Sequence, residues 1–281
     1  MSIRSSSYRY DNLEKQAQNE EFKRLSRQSS SLSDVEEKIW VESGIAPGAS
    51  ILDVGCGSGA VTRRLASYAY LGKVVGVDSC LSLIEKGRQT YVSCENVSDG
   101  FLREDITLEQ GDVYDLPFSE ETFDVVHARF LFQHLSDPID ALSSIWRVLK
   151  PGGLLCVVDV DKGWSGLSPE PATSVALDKA IIEKQLSQGG DPWIGRKLSY
   201  YLNSASFSDV KTSIKLVDSD QMGFSKYVEM LAFSSPPKGE EDELASLRSQ
   251  AQPDIHKLLN SRYAWAGFAL FAATGRKAHR L

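Results

Sequence analysis

Short apolar runs alternate with longer segments of mixed polarity in the first half of the chain. Apolar residues that recur every three or four positions are typical of amphipathic helices, and short apolar runs are typical of buried parallel strands. Strands that alternate with helices predict an α/β fold, with a mostly parallel sheet and helices on both faces. The predicted strands are Ile51–Val54, Lys73–Asp78, Ile106–Asp112, Phe123–Ala128 and Leu154–Val160.

Recognisable capping residues mark several predicted helices. Residues 11–31 form a polar, weakly amphipathic segment, and Ser33 with Glu36 makes a capping box that predicts the start of a second helix. Asp137 followed by Pro138 is an N-cap pair that predicts another helix. Further helices are predicted at 60–70, 80–91, 173–188 and after Asp191–Pro192, and residues 93–104 predict an irregular surface connection.

The regular alternation stops after the fifth strand. Residues 161–172 are rich in glycine, serine and proline and predict a loop. Val210–Leu216 alternates polar and apolar residues and predicts a strand. Residues 222–260 predict polar helices that are interrupted at Ser234–Pro237 and at Pro253, and Trp265–Thr274 predicts a final apolar strand.

The first strand runs into a glycine-rich turn. Its three glycines remove the Cβ atoms that would block a ligand, and the following helix offers unpaired backbone N–H groups. Asp53 stands two positions before the first glycine. A carboxylate here would repel the pyrophosphate of a dinucleotide, so we expect a ligand that carries positive charge. The residues of this predicted site are Asp53, Gly55, Cys56, Gly57, Ser58 and Gly59.

Further candidate residues follow the later strands. Asp78 ends the second strand about 20 residues after the last glycine, the usual offset for an acidic residue that binds ribose hydroxyls. It could instead cap the next helix, a role open to Ser79 as well. Asp112, between Gly111 and Val113, ends the third strand, and a plain turn role is its alternative. His127 lies inside the fourth strand, where we expect a core residue.

Composition and charge narrow the class of protein. The chain has 25% charged and 42% hydrophobic residues, which is typical of a globular enzyme. A net charge of −7 without a basic stripe argues against a nucleic-acid partner. No apolar run approaches the roughly 20 residues of a membrane span, and Met1–Arg9 lacks the apolar core of a signal peptide. The four scattered cysteines predict no metal site, so we expect a cytoplasmic, metal-free protein.

The run Asp53–Gly59 resembles the first motif of the class I S-adenosylmethionine-dependent methyltransferases, in particular the small-molecule, UbiE-like type. The resemblance implies S-adenosyl-L-methionine as the cofactor and a Rossmann-like, seven-stranded sheet with an antiparallel last strand and a helical cap. It also implies four parts: a lid helix at 1–32, a cofactor-binding core at 33–165, substrate-side helices with the sixth strand at 166–262, and a closing strand at 263–281.

The same resemblance implies roles for individual side chains. Asp78 would accept hydrogen bonds from the ribose and Asp112 from the adenine amino group. Tyr10, Arg24 and Gln28 would close on the methionine carboxylate, the alternative being a solvated charged helix. The implied cofactor contacts are Tyr10, Arg24, Gln28, Asp53, Gly55, Cys56, Gly57, Ser58, Gly59, Asp78, Ser79, Gly111, Asp112, Val113, Ala128, Arg129 and Gln133.

The predicted activity is methyl transfer by in-line displacement to an O, N or C nucleophile of a small apolar or aromatic metabolite. His134 is the candidate general base, because imidazole titrates near neutral pH, although a structural or cofactor contact is the alternative. A nicotinamide-dependent oxidoreductase stays open because Gly55, Gly57 and Ala60 fit the dinucleotide pattern. A non-catalytic cofactor-binding protein also stays open, as does the choice between monomer and homodimer.

Overall fold

The computed structural model describes residues 6–8, 10–93, 106–230 and 243–278. Seven strands in this part of the chain form a single sheet. They are β1 (Ile51–Val54), β2 (Val74–Asp78), β3 (Ile106–Gln110), β4 (Phe123–Arg129), β5 (Leu149–Ser168), β6 (Ser208–Asp218) and β7 (Trp265–Arg276). Their spatial order is β3-β2-β1-β4-β5-β7-β6. β7 runs antiparallel to both neighbours, whereas β1 to β5 are parallel, which confirms the predicted Rossmann-like sheet.

Helices cover both faces of the sheet. They are α1 (Lys15–Ser31), α2 (Ser33–Ser43), α3 (Ala60–Tyr68), α4 (Leu81–Ser93), α5 (Pro138–Val148), α6 (Ala172–Ser187), α7 (Leu198–Ser204), α8 (Ser219–Met222), α9 (Phe224–Met230) and α10 (Glu243–Leu259). The predicted cap of α5 is confirmed, because the Asp137 side chain accepts a hydrogen bond from the Asp140 N–H. No helix in the described ranges combines the length and the apolar character needed to cross a bilayer.

Residues next to each other along a strand enter different hydrophobic clusters. Ile51 packs in one cluster together with Val125 and Leu154, its register partners on β4 and β5. Leu52 packs in the other cluster, on the opposite face of the sheet. All four residues of β1 are buried. The carboxyl ends of the central strands are therefore held in fixed positions, at the edge where open α/β sheets bind ligands.

Strand β5 is longer than the sequence predicted. The expected loop at 161–172 is wrong in its first part, because Ser165–Ser168 pairs with Trp265–Phe268 of β7 after an irregularity that follows Val160. The glycine and serine content of this segment predicts a loop, but the pairing partner lies about a hundred residues downstream and supplies the ladder. Long-range pairing of this kind overrides local propensity.

Three details of the predicted helices are also wrong. Helix α2 begins at Ser33, as predicted, but without a capping box, because the Ser33 hydroxyl donates to the Ser30 carbonyl. Asp191 accepts a hydrogen bond from Trp193 N in a turn, and α7 starts only at Leu198. Helix α10 continues through Pro253. The predicted connection 93–104 lies almost entirely outside the described residues, and the predicted break at 234–237 lies entirely outside them. The division into four parts stays a prediction.

Candidate active site

A cavity of about 390 Å³ opens at the carboxyl ends of β1, β2, β4 and β5, beneath the N-terminal segment and α1. Its volume lies in the range of small-molecule sites. The structure brings twelve of the predicted site residues to its wall: Tyr10, Arg24, Gln28, Gly55, Cys56, Gly57, Ser58, Asp78, Ser79, Arg129, Gln133 and His134. The wall does not include Asp53, Gly59, Gly111, Asp112, Val113 or Ala128.

The glycine turn presents backbone to this cavity. Gly55, Gly57 and Gly59 have φ values of 72°, 56° and 78°, the left-handed region that favours glycine. A Cβ on Gly55 would lie 3.0 Å from the side chain of Leu131, so that side chain would have to move before a larger residue could fit at that position. These conformations turn the chain from β1 into α3 with bare backbone on the cavity side.

Asp78 joins the glycine turn to the start of α4. One carboxylate oxygen accepts a hydrogen bond from Gly57 N at 2.8 Å, and the other accepts from Cys80 N at 2.8 Å. Burial raises the pKa of Asp78, while the hydrogen bonds from Cys80 and Gly57 lower it. The capping role is therefore present, and it is compatible with ribose binding because each carboxylate oxygen keeps a further lone pair. The ribose role stays a prediction.

Asp53 lies below the turn and is 1% exposed. Its Oδ2 accepts a hydrogen bond from the Thr62 hydroxyl at 2.6 Å, and its Oδ1 is 2.8 Å from Nδ1 of His127. The Nε2 atom of His127 accepts from the Trp40 indole at 3.3 Å, which assigns the proton to Nδ1. His127 is buried in the core, as expected. Asp53 lies beneath the turn and does not line the cavity, whereas the sequence analysis expected its charge to lie beside the ligand.

The N-terminal segment packs on His134. Ser7 N donates to the His134 carbonyl at 3.0 Å, and Ser7 Oγ lies 2.8 Å from His134 Nδ1. Burial, followed by the nearby Arg24 guanidinium, lowers the pKa of His134 to about 4. The imidazole is therefore neutral at pH 7 but a weak base, because a general base works best when its pKa lies near the operating pH. The general-base role stays a prediction that this environment does not favour.

Arg24 on α1 is not a solvated charge. Its Nε and Nη2 donate to the two oxygens of Glu21 at 2.7 Å each, and the Tyr8 hydroxyl donates to the same carboxylate at 2.9 Å. The side chains of Arg24 and Glu21 are only 16% and 19% exposed. Sequence reasoning missed Glu21, although its spacing of three residues before Arg24 places both on one face of a helix.

Several of the predicted site residues do not line the cavity. Asp112 is exposed and accepts a hydrogen bond from Tyr114 N at 3.0 Å, which is the plain turn arrangement. Val113 and Ala128 are buried in a hydrophobic cluster. Gly59 is the N-cap residue of α3. The adenine role of Asp112 stays a prediction.

Arg129, at the end of β4, belongs to a buried ionic cluster. Its Nε donates to Glu36, whose second oxygen accepts from Arg64 Nη1 at 2.6 Å. Glu36 is the residue that the sequence assigned to a capping box. The spacing to Ile39 and Trp40 could have identified it as inward-facing, because residues three and four positions apart share a helix face.

The end of the cavity beyond Arg129 carries aromatic and charged side chains. Its wall includes Phe130, Asp161, Lys162, Tyr227 and Phe268. Asp161 is held by a two-point ion pair with Arg196 at 2.6 Å, and Lys162 pairs with Asp178 at 3.2 Å. Among the described residues, no group of three or more histidine, cysteine, aspartate or glutamate side chains could hold a metal ion.

Comparison with known proteins identifies the central part of the chain. Residues 52–157 match the family model described as a methyltransferase domain. An uncharacterised methyltransferase of Schizosaccharomyces pombe is 36% identical over 157 residues, 56% of this chain and 56% of that protein. A demethylmenaquinone methyltransferase of Symbiobacterium thermophilum is 38% identical over 120 residues, 42% of this chain and 45% of that protein. The chain therefore spans about half the length of these relatives.

A solved structure extends the likeness to most of the fold. Phosphoethanolamine N-methyltransferase 2 of Haemonchus contortus, solved with phosphomonomethylethanolamine and S-adenosylhomocysteine, has a TM-score of 0.59 and covers 88% of this chain and 53% of that chain. Its 16% sequence identity makes this a likeness of fold alone. The family match and the named relatives are methyltransferases, so the oxidoreductase alternative is not favoured. Residues 52–157 are therefore similar to a methyltransferase domain, in agreement with the resemblance of the run Asp53–Gly59 to the class I S-adenosylmethionine-dependent methyltransferases.

Proposed function

We propose that the protein transfers the methyl group of S-adenosylmethionine to an oxygen, nitrogen or carbon nucleophile of a small apolar or aromatic metabolite. One observation carries the proposal. A single cavity connects the glycine turn and Asp78 at one end to Phe130, Tyr227 and Phe268 at the other. Such a cavity can hold a polar nucleoside and a flat acceptor in contact with each other.

The residues present fit this cofactor. The Asp78 carboxylate suits ribose hydroxyls, and the bare backbone at Gly55 and Gly57 allows close approach. Arg24 and Gln28 line the same wall, where they would hold the amino-acid carboxylate. S-adenosylmethionine, when bound, supplies a methyl group already activated by the sulfonium charge.

The chain's own part in the reaction is alignment and the exclusion of water. Helix α1 and the N-terminal segment cover the cavity, and Arg24 and Tyr8 are fixed there by hydrogen bonds to Glu21. Holding two reactants in line can contribute about 7–11 kcal/mol to lowering a barrier. No strong base is required when the acceptor nucleophile is already electron-rich.

Incubation with methyl-labelled S-adenosylmethionine and a panel of acceptors tests the proposal. The panel includes phenols, amines, a reduced demethylmenaquinone and phosphoethanolamine; demethylmenaquinone and phosphoethanolamine appear in the names of one relative and of one protein of similar fold. We expect label in at least one aromatic or apolar acceptor and none with heat-inactivated protein. Donor binding without transfer to any acceptor would favour the non-catalytic alternative.

A further inference from the structure

Most charged side chains that line the cavity have a partner of opposite charge. Arg24 pairs with Glu21, and Lys162 pairs with Asp178. Asp161 pairs with Arg196. The charges of two other lining groups, Asp78 and Arg129, are not balanced in this way. At one end of the cavity, Asp78 accepts hydrogen bonds from backbone N–H groups, and Arg129 lies toward the other end.

Among the residues that the structure describes, the one ion-pair partner of Arg129 is shared with a second arginine. Glu36 is 1% exposed, and both Arg129 and Arg64 donate to its carboxylate. Glu37, which is 55% exposed, lies 3.9 Å from Arg64 and is screened by solvent. The buried cluster of Glu36, Arg64 and Arg129 therefore carries one surplus positive charge.

The other acidic group near Arg129 compensates this charge only in part. Asp159 is fully buried and accepts hydrogen bonds from Gln133 N at 3.1 Å and Val160 N at 2.9 Å. Burial raises the pKa of Asp159 to about 7, against the lowering effect of its hydrogen bonds and of Arg129. Burial therefore opposes the ionised form of Asp159 that would balance the charge of the cluster.

The Arg129 side chain keeps an unused hydrogen-bonding group. It is 10% exposed, and Nη2 has no hydrogen-bond partner among the described residues. A buried donor without a partner is destabilising, and more so when it is charged. An acceptor atom on a bound ligand would relieve this cost.

The backbone beside Arg129 is held in an unfavourable conformation. Phe130 has a φ of 53°, which is a true outlier for a bulky side chain. The hydrogen bond from Phe130 N to the Val158 carbonyl, 2.8 Å long, maintains it. This geometry stacks the guanidinium on the Phe130 ring at 4.1 Å, so a cation and an aromatic face stand together in the cavity wall.

We propose that Arg129 selects acceptors that carry an acidic hydroxyl on a flat apolar ring, and that it binds them as oxyanions; the inference rests on the methyltransferase function proposed above. The hydroxyl proton leaves to solvent when the acceptor binds. The oxyanion's electron pair then forms the new O–C bond, the methyl–sulfur bond breaks, and its electron pair stays on sulfur. A methyl ether and S-adenosylhomocysteine result, and no side-chain base takes part.

Binding of 4-nitrophenol tests this proposal without relying on turnover. Its ionised form absorbs visible light, so titration reports both affinity and the pKa of the bound phenol. In the protein saturated with S-adenosylhomocysteine, we expect a lowered phenol pKa and tighter binding than for the uncharged 4-nitroanisole. Arg129→Met should weaken nitrophenolate binding about tenfold or more and leave nitroanisole binding unchanged. Arg129→Lys should restore part of the affinity, and Glu36→Gln, which removes negative charge from the cluster, should increase it several-fold.

The possible outcomes separate this inference from the proposed function. S-adenosylmethionine affinity and circular dichroism are measured on every variant. The wild type could bind the donor but fail to bind nitrophenol, or bind it without a shift in the phenol pKa. Either result overturns the proposed role of Arg129 and leaves the proposed function untouched. If Arg129→Met loses donor affinity but keeps nitrophenolate affinity, Arg129 contacts the methionine part of the donor. That result also overturns the proposed role of Arg129 in acceptor binding. Absence of donor binding in the wild type would overturn the proposed function itself.

Discussion

Two carboxylates beside one glycine turn have opposite positions relative to the cavity. Asp78 lines the wall and holds Gly57 N, whereas Asp53 is buried and bonded to Thr62 and His127. The sequence identified both as site residues from their distance to the glycines. It could not separate them, because the partners of Asp53 come from α3 and β4 and are fixed only by the folded sheet.

The position of Asp78 in the cavity wall leads to a prediction about donor binding. Asp78→Ala should weaken S-adenosylmethionine binding at least about tenfold, since charge-assisted hydrogen bonds to the ribose would be lost. Asp115→Ala, an exposed aspartate of the neighbouring loop, is the matched control and should bind normally. Calorimetry gives both affinities, and circular dichroism shows whether the fold is kept. Unchanged donor affinity in Asp78→Ala would remove the ribose assignment.

The burial of His134 leads to a prediction about how the stability of the protein depends on pH. Its pKa in the folded protein is lowered to about 4 from about 6.5 in an unfolded chain. The unfolded state therefore binds more protons between these values, and the His134 contribution to stability is present above pH 6.5 and lost as the pH falls toward 4. Replacing the side chain by glutamine should flatten the stability curve of the protein in this window.

Denaturant unfolding of wild type and His134→Gln between pH 4 and 7 measures the contribution of His134 to stability. His256→Gln, an exposed histidine on α10, serves as the control and should follow the wild-type curve. In an NMR titration, the His134 ring signals should not shift between pH 5.5 and 8. A titration midpoint near 6.5 would contradict the burial argument and would revive the general-base role.

At the scale of elements, local signals located most of the helices and strands, and long-range contacts decided the rest. The N-cap at Asp137 needs only its own neighbours and was predicted correctly. The extension of β5 to Ser168 depends on β7, and the burial of Glu36 depends on Arg64 and Arg129. These features require pairing between distant segments, which neither periodicity nor capping residues record.

Helix α1 is the element whose role is most open to test. If Arg24 holds the donor's carboxylate, Arg24→Met should weaken S-adenosylmethionine about tenfold and leave methylthioadenosine, which lacks the amino-acid part, unaffected. Lys23→Met, at a neighbouring position with a 62% exposed side chain, is the control. Calorimetry with both ligands makes the comparison. Equal losses for the two ligands would mean that Arg24 only holds the lid in place through Glu21.

At the scale of the whole molecule, the fold collects its chemistry at one edge of the sheet. The glycine turn and the ends of β2, β4 and β5 meet in one cavity, and α1 with the N-terminal segment covers it. The sequence predicted this edge because parallel strands place their carboxyl ends together. The acceptor end was less predictable, since Tyr227 and Phe268 reach it from segments that lie far apart in the chain.

We expect this cavity to bind a cationic adenosyl donor in preference to a dinucleotide. Isothermal calorimetry with S-adenosylmethionine and NADH, run on the same preparation, measures this preference directly. S-adenosylmethionine should bind saturably at one site per chain, and NADH should give no heat of binding. Tight binding of NADH that S-adenosylmethionine cannot displace would show that the cavity is a dinucleotide site instead.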